Sequence, residues 1–201
     1  MAGKPQFDQA AVLNAAVGVF WRHGYAAASI SDLTDATGLS RSSLYQRFRD
    51  KDGLFLEVLE AYTEHVAGYM QTAARSSPRE RLEVLLRSFL PDALTPPPPA
   101  GCLIARSCAE MVDLPPAGRK AALACAERLR GIFTSLLREG VAKGELPKNA
   151  DVDAMAWHYY GVLNAVRNLP MAGADQGALE RMIKVALSAW PPPSASRQSK
   201  Q

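Results

Sequence analysis

Apolar residues recur at helical spacing along almost the whole chain, and no stretch of alternating apolar and polar residues is long enough to predict a strand. The pattern therefore predicts an all-α fold of about nine helices. Gly24 is expected to end the first helix, because glycine readily adopts the left-handed conformation at a helix C-terminus. The apolar stripe of that helix consists of Val12, Ala15, Ala16, Val19 and Phe20.

Two short helices joined by a tight turn follow the first helix. Ser29 is a serine N-cap with Asp32 three residues later, which is close to a capping box. Gly38 is expected to stop this helix, and Ser40 can cap the next one two residues later. Because the connection is so short, the two helices must cross at a large angle.

The remaining pattern predicts a larger helical body. A long helix is expected to run from about residue 51 to about residue 75, and the tract at 95–100 is expected to be an extended polyproline II connector. The last two long helices are predicted at 152–169 and 176–190. We therefore predict a three-helix head at 1–51, a body at 52–190 and a disordered tail at 191–201.

The composition is that of an ordinary globular protein. The 201 residues are 48% hydrophobic and 21% charged, and three cysteines cannot pair completely, which argues against a secreted disulfide scaffold. The first residues lack the apolar core of a signal peptide, and no stretch of about 18 apolar residues occurs. The expected location is the cytoplasm, with no membrane partner.

Positive charge is concentrated in one segment, although the net charge of the chain is only +3. Between Ser40 and Lys51 the acid Asp50 stands against four basic residues, which are Arg41, Arg47, Arg49 and Lys51. A local basic patch fits an anionic partner, although on charge alone a solvated surface is the more common explanation.

The second short helix offers side chains suited to DNA. With Leu44 and Phe48 facing inward, its outward residues are Arg41, Ser42, Ser43, Tyr45, Gln46 and Arg47. A helix of this size fits the major groove, where arginine and glutamine can bond to base edges while serine, tyrosine and lysine hold phosphates.

This segment is similar to the helix-turn-helix of the TetR/AcrR family of transcriptional regulators. The family pattern runs roughly T-x-x-x-I-A-x-x-A-G-V-S-x-G-T-L-Y-x-H-F-x-x-K-x-x-L, and the chain matches it with Ser29, Leu33, Ala36, Gly38, Leu39, Ser40, Leu44, Tyr45, Phe48, Lys51 and Leu54. The Phe20-x-x-x-Gly24-Tyr25 segment also fits the family. The resemblance in motif covers about residues 10 to 60.

The resemblance implies roles for individual residues of the head. Positions that commonly touch bases or the neighbouring sugar-phosphate are occupied here by Ser31, Arg41, Ser42 and Tyr45. Positions that mostly hold the DNA backbone are occupied by Ser29, Ser43, Gln46, Arg47 and Lys51. Arg47 replaces the usual histidine, which is expected to strengthen phosphate binding. Ser29 and Ser40 are also fully explained as helix caps.

For the body, the resemblance implies a homodimer whose interface comes from the last two long helices. The residues predicted at this interface are Trp157, Tyr160, Leu179, Met182, Ile183, Ala186 and Trp190. Alternatively, Trp157 and Tyr160 line a ligand cavity inside the subunit.

The resemblance also implies a small-molecule effector that binds the body and lowers DNA affinity. The candidate effector-binding residues are Tyr62, Phe89, Cys102, Met111, Phe133, Tyr159 and Asn164. Plain core packing explains the aromatic residues and the methionine as well. Asn164 is the exception, because a buried amide must be hydrogen-bonded, to protein or to ligand.

Cys102 offers a second route to regulation. It follows the proline tract and Gly101, so we expect it at a helix N-terminus, where the helix dipole favours a thiolate. A thiol-based sensor of oxidants or electrophiles on the same fold is thus the alternative function. Two further interpretations remain. One is an enzyme with a cysteine nucleophile, and the other is a ligand carrier that does not bind DNA. No metal site or cofactor is expected, because His23, His65 and His158 are isolated.

We therefore interpret the chain as a DNA-binding regulator, a repressor like most members of the family it resembles, and not an enzyme.

Overall fold

The computed structural model describes residues 8–70, 77–93 and 101–190. Within these residues the chain forms nine α-helices and no strand, which confirms the predicted all-α fold. The helices are α1 Gln9–Ala27, α2 Ile30–Thr37, α3 Arg41–Phe48, α4 Lys51–Met70, α5 Pro78–Arg87, α6 Leu103–Ala109, α7 Pro116–Ala142, α8 Val152–Asn168 and α9 Gln176–Leu187, with short 3-10 turns at Pro91–Ala93 and Leu169–Ala172.

Side-chain caps set the ends of α2 and α3. The Ser29 hydroxyl accepts a hydrogen bond from the Asp32 backbone N–H at 3.1 Å, and the Asp32 carboxylate accepts one from the Ser29 N–H at 2.9 Å. These two bonds complete the predicted capping box. At the other end Gly38 has φ +70°, and its N–H donates to the Thr34 carbonyl. The Ser40 hydroxyl then caps α3.

The prediction that Gly24 ends the first helix is corrected by the structure. The chain leaves helical geometry at Gly24, which has φ +77° and ψ 176°, but it resumes and α1 extends to Ala27. The helix is therefore interrupted at Gly24, but it ends three residues later than predicted. The end of α9 is also corrected, because α9 stops at Leu187 rather than at residue 190.

The described residues pack as two compact units. Residues 8–66 and 101–127 form the first unit, and residues 67–70, 77–93 and 128–190 form the second. This division follows packing and includes α6 and the start of α7 with the head. The functional boundary between residues 51 and 52 stays a prediction.

The core of the first unit contains a group of packed aromatic rings. The Phe20 and Phe55 ring centroids lie 5.0 Å apart with an interplanar angle of 64°, and the Tyr25 ring lies 4.9 Å from Phe55. Phe20 from α1 and Phe55 from α4 are almost completely buried, as are Leu33 of α2 and Leu44 of α3. The ring contacts join α1 to α4, and the buried Leu33 and Leu44 are the core-facing residues of α2 and α3.

The core of the second unit is built by α5, α7, α8 and α9. Phe133 of α7 stacks on Tyr159 of α8 with centroids 6.5 Å apart, and both side chains are fully buried. Trp190, which follows α9, is fully buried and lies against Gly140 of α7.

Some predictions fall on residues outside the described ranges. These are the end of the long helix at 71–75, the proline connector at 95–100 and the tail at 191–201. Of the helices that are described, none combines the length and the apolar character needed to cross a lipid bilayer.

Candidate nucleic-acid interface

One face of α3 and the start of α2 carry the side chains predicted to contact DNA. Leu44 and Phe48 occupy the buried face of α3, so the remaining α3 side chains point away from the core. The predicted residues that are exposed are Ser29, Ser31, Arg41, Ser42, Tyr45 and Gln46, and those that are partly exposed are Ser43, Arg47 and Lys51. All nine predicted residues are thus at least partly exposed to solvent.

The serines at the start of α3 bond to one another. The Ser40 hydroxyl lies 2.9 Å from both the Ser42 and the Ser43 hydroxyls, and it accepts from the Ser43 backbone N–H at 3.1 Å. Each hydroxyl has one donor and two acceptor positions. These contacts therefore preorganise the N-terminal turn of α3 and leave further hydrogen-bonding capacity for another group.

Arg47 is held by an ion pair that the sequence did not predict. Its two terminal nitrogens donate to the two carboxylate oxygens of Glu57 on α4, at 2.8 and 2.9 Å. Gln9 of α1 donates to the same carboxylate at 3.3 Å, and the guanidinium lies 4.7 Å from the Phe48 ring centroid. Arg47 thereby fastens α3 to α4.

Lys51 binds backbone carbonyls at the C-terminal end of α1. Its ammonium donates to the Tyr25 carbonyl at 3.0 Å and to the Ala28 carbonyl at 3.1 Å, and lies 4.4 Å from the centroid of the Tyr25 ring. An ammonium carries three N–H donors, so two carbonyl acceptors leave one for a phosphate.

The seven predicted effector-binding residues fall in both units. In the first unit, the Tyr62 hydroxyl accepts from the Leu103 backbone N–H at 3.3 Å, directly beside Cys102. Met111 follows α6 and is partly exposed. In the second unit, Phe133 and Tyr159 stack, while Phe89 lies under the Arg167 guanidinium, 5.1 Å from its ring centroid.

Asn164 has a protein partner for its side-chain amide. The amide nitrogen donates to the Tyr160 carbonyl one turn earlier at 3.0 Å, and Asn168 donates to the Asn164 carbonyl at 2.6 Å. Asn164 is only partly buried, so the expectation of a buried amide is corrected, and its side-chain N–H has a partner within the protein.

The cysteine thiols lie in a protected part of the first unit. Cys102 is 3% exposed and caps α6 without a side-chain hydrogen bond, and Cys125 is also buried. Burial raises the pKa of the Cys108 thiol, with smaller contributions from Cys102 and Cys125. In the ranges that the structure covers, no three His, Cys, Asp or Glu side chains gather as a metal site.

Most of the residues predicted at the dimer interface are buried within the subunit, which corrects that prediction. Of the seven residues, Tyr160, Leu179, Ile183, Ala186 and Trp190 are buried inside the subunit, and Met182 is half-buried. Trp157 is the exception at 54% exposed, with the Arg130 guanidinium 4.7 Å from its ring centroid. Sequence reasoning missed exposed apolar side chains of the same region, which are Leu169, Met171 and Val185.

Comparison with known proteins identifies the fold and the family. Residues 12–58 match the family described as bacterial regulatory proteins, tetR family, and residues 78–186 match the tetracyclin repressor-like C-terminal domain. The first match contains the whole helix-turn-helix, and the second covers more than half of the chain.

Individual relatives match over nearly their whole length. The HTH-type transcriptional repressor ComR of Escherichia coli (strain K12) is 30% identical over 202 residues, covering 94% of this chain and 92% of ComR. YezE of Bacillus subtilis (strain 168), an uncharacterized HTH-type transcriptional regulator, is 26% identical over 94% of this chain and 98% of its own.

A solved structure of the TetR family regulator CifR, a cysteine mutant complexed with 26bp double-strand operator DNA, superimposes with a TM-score of 0.80 and 30% identity. It covers 94% of this chain and 100% of the CifR chain. The chain therefore belongs to the TetR family of bacterial transcriptional regulators, and its helix-turn-helix lies in the N-terminal part that matches the family.

Proposed function

We propose that this protein is a cytoplasmic, homodimeric repressor that releases its operator when a small molecule binds the C-terminal body. The repressor assignment is supported by ComR, which is named a transcriptional repressor. The observation that carries the ligand response is a buried phenol in the body, the hydroxyl of Tyr159, described below.

In this proposal α3 is the recognition helix. Arg41 stands exposed in the first turn of α3, where its guanidinium can form two hydrogen bonds with a guanine in the major groove. Ser31, Ser42 and Tyr45 share this role, and the hydroxyl and amide groups of Ser29, Ser43 and Gln46 contact the sugar-phosphate backbone. Lys51 adds positive charge toward the phosphates, while the charge of the partly exposed Arg47 is balanced by Glu57 unless a phosphate displaces that carboxylate.

The Arg41→Ala variant is expected to lose about 1–3 kcal/mol of discrimination between the operator and unrelated DNA, because a base contact is removed. The measurement is the Kd for a duplex selected from a random-sequence library by the wild-type protein, compared with the Kd for a scrambled duplex. Arg138→Ala is the matched control, since Arg138 is an exposed arginine on α7. Equal discrimination by the two variants would contradict the role of Arg41.

Tyr159 is the residue of the body that we propose binds the ligand, because its buried hydroxyl lacks a hydrogen-bond partner among the residues described. Its side chain is fully buried, and its hydroxyl has no hydrogen-bond partner within the described ranges. Burial raises the pKa of this phenol to about 12, and the positive charge of Arg79 opposes that rise. The phenol is therefore protonated at neutral pH and available as a donor.

A buried hydroxyl without a partner costs about 1–3 kcal/mol, and an acceptor on a bound molecule would remove that cost. The nearby charge of Arg79 favours an acceptor that is electron-rich or negatively charged. We therefore place the effector's polar group at Tyr159, with its remainder against apolar neighbours such as Phe133.

Tyr159→Phe is expected to leave the free energy of unfolding unchanged or to raise it by about 1 kcal/mol, because an unsatisfied hydroxyl is removed. The same variant is expected to weaken effector binding about tenfold, by the loss of one hydrogen bond. Unfolding in urea measures the first effect. Titration with compounds that raise the melting temperature of the wild-type protein, and that release it from the selected duplex, measures the second.

Tyr160→Phe is the control, because it removes a hydroxyl from the next residue of the same helix. Its effector affinity is expected to remain within about twofold of wild type. Clear destabilisation by Tyr159→Phe would show that the hydroxyl has a partner in the folded protein. An unchanged effector affinity would place the ligand elsewhere.

The dimer surface in this proposal is the exposed apolar face of the α8 and α9 region. Trp157 and Val185 are 54% and 71% exposed, and tryptophan is among the residues enriched at protein interfaces. A symmetric dimer supplies the two heads that a two-half-site operator needs.

The thiol-sensing alternative is less well supported. A sensor cysteine is accessible and has a lowered pKa. Cys102 is only 3% exposed, and the pKa of the more accessible Cys108 is raised by burial. Effector binding at Tyr159 therefore stands as the preferred mechanism.

A further inference from the structure

Gly24, near the C-terminal end of α1, has a backbone conformation that suits only glycine. Gly24 has φ +77° and ψ 176°, a combination that residues with a Cβ essentially do not adopt. A Cβ placed on Gly24 would also overlap the carboxylate of Glu110, the residue that caps the C-terminus of α6. The bare glycine backbone thus allows the Glu110 carboxylate to approach α1 directly.

Glu110 uses this approach to bind the next peptide group. Its Oε2 accepts from the Tyr25 backbone N–H at 3.0 Å, across 85 residues of sequence. Its Oε1 accepts from Nε of Arg106 at 2.8 Å, and Arg106 in turn donates to the Trp21 carbonyl at 3.3 Å. Two charged side chains at the C-terminal end of α6, Arg106 and the capping Glu110, therefore hold backbone groups of α1 on either side of Gly24.

Tyr25 also forms hydrogen bonds with the first residues of α4. Its carbonyl accepts from the Lys51 ammonium, and its hydroxyl donates to the Asp52 carboxylate. Burial, followed by the bond to Asp52, raises the pKa of the Tyr25 phenol above its usual range, so the hydroxyl keeps its proton at neutral pH. Lys51 and Asp52 begin α4 three residues after α3 ends at Phe48.

We propose that Glu110 is a positioning residue for operator binding, which orients α3 by holding Tyr25 and, through it, the junction of α3 and α4. Glu110 itself contacts no DNA in this arrangement. Its role is separate from effector binding at Tyr159, and it makes α6 a support of the recognition helix. This role rests on the proposed binding of operator DNA by α3.

The test is operator binding by the full-length Glu110→Ala variant. Loss of a coupling contact of this kind is expected to raise the Kd for the selected duplex roughly threefold to thirtyfold. The slope of log affinity against log salt concentration is expected to stay at the wild-type value, because no phosphate contact is removed. A folded variant with a wild-type Kd would overturn the proposal, and so would a shallower slope, which would assign Glu110 to the phosphate contacts.

Glu145→Ala provides a matched control. Glu145 also accepts a long-range hydrogen bond from a backbone N–H, that of Arg79 at 3.2 Å, but it lies in the second unit. Its variant is expected to bind the duplex with a Kd within about twofold of wild type. If Glu145→Ala weakened binding as much as Glu110→Ala, the effect would be general destabilisation and the positioning role would be wrong.

Glu110→Gln distinguishes the hydrogen bond from the charge and guards against a variant that fails to fold. Glutamine keeps the size of glutamate and one accepting oxygen for the Tyr25 N–H. It is expected to retain an operator Kd within about threefold of wild type. Equal losses in Glu110→Gln and Glu110→Ala would overturn the assignment of the role to the bond with Tyr25.

Discussion

Phe20→Ala is expected to lower the free energy of unfolding by about 3–5 kcal/mol, the usual cost of removing a buried phenyl ring. Phe20 is 0% exposed, and its ring packs edge-on against Phe55 and stacks near Tyr25. A loss of this size is a large share of the 5–15 kcal/mol that typically stabilises a domain. Urea unfolding followed by circular dichroism measures it.

The comparison variant for Phe20→Ala is Tyr45→Ala. Tyr45 is an aromatic residue of the same unit but is 43% exposed on α3, so its removal is expected to cost about 1 kcal/mol or less. The two variants should therefore separate stability from binding, because Tyr45→Ala is expected to weaken operator binding while the protein stays folded. Similar unfolding energies for both variants would contradict the packing described for the first unit.

Gly140→Ala is expected to destabilise the protein by about 1–3 kcal/mol, because the added methyl group has no room. A Cβ on Gly140 would overlap Cζ2 of Trp190 and lie 2.8 Å from its Cη2. The indole cannot easily retreat, since it is fully buried and the Trp190 carbonyl accepts from Nε of Arg79 at 3.1 Å. Urea unfolding of the full chain measures the change.

Gly131→Ala, on the same helix, should act in the opposite direction. A Cβ on Gly131 meets nothing within 4 Å, so only helix propensity changes, and the variant is expected to gain up to about 1 kcal/mol. The difference in sign isolates the contact with Trp190 from the backbone effect. Destabilisation by both variants would mean that α7 requires glycine for some other reason.

Local sequence signals predicted the head well because they act over three or four residues. The Ser29 capping box, the turn at Gly38 and the Ser40 cap each depend on neighbours close in the chain, and all three are present in the structure. The spacing of Leu44 and Phe48 then determined which face of α3 is exposed. These features were sufficient to predict the helix-turn-helix and its outward side chains.

The same reasoning was less successful in the body. Leu179, Ile183 and Ala186 were assigned to a dimer surface, yet they are buried within the subunit. Periodicity shows that a helix has an apolar face, but it does not show whether that face meets the same subunit or a partner. The exposed Val185 on α9 and Met171 before it could be found only from the packed structure.

The amino-acid sequence by itself determined the helices, the tight turn and the basic, exposed face of α3, because caps, glycine conformations and helical periodicity are local. Only the tertiary structure decided which charged groups meet. Arg47 pairs with Glu57 ten residues away and Glu110 binds Tyr25 across 85 residues. Such contacts depend on how whole helices pack, and no spacing in the sequence encodes them.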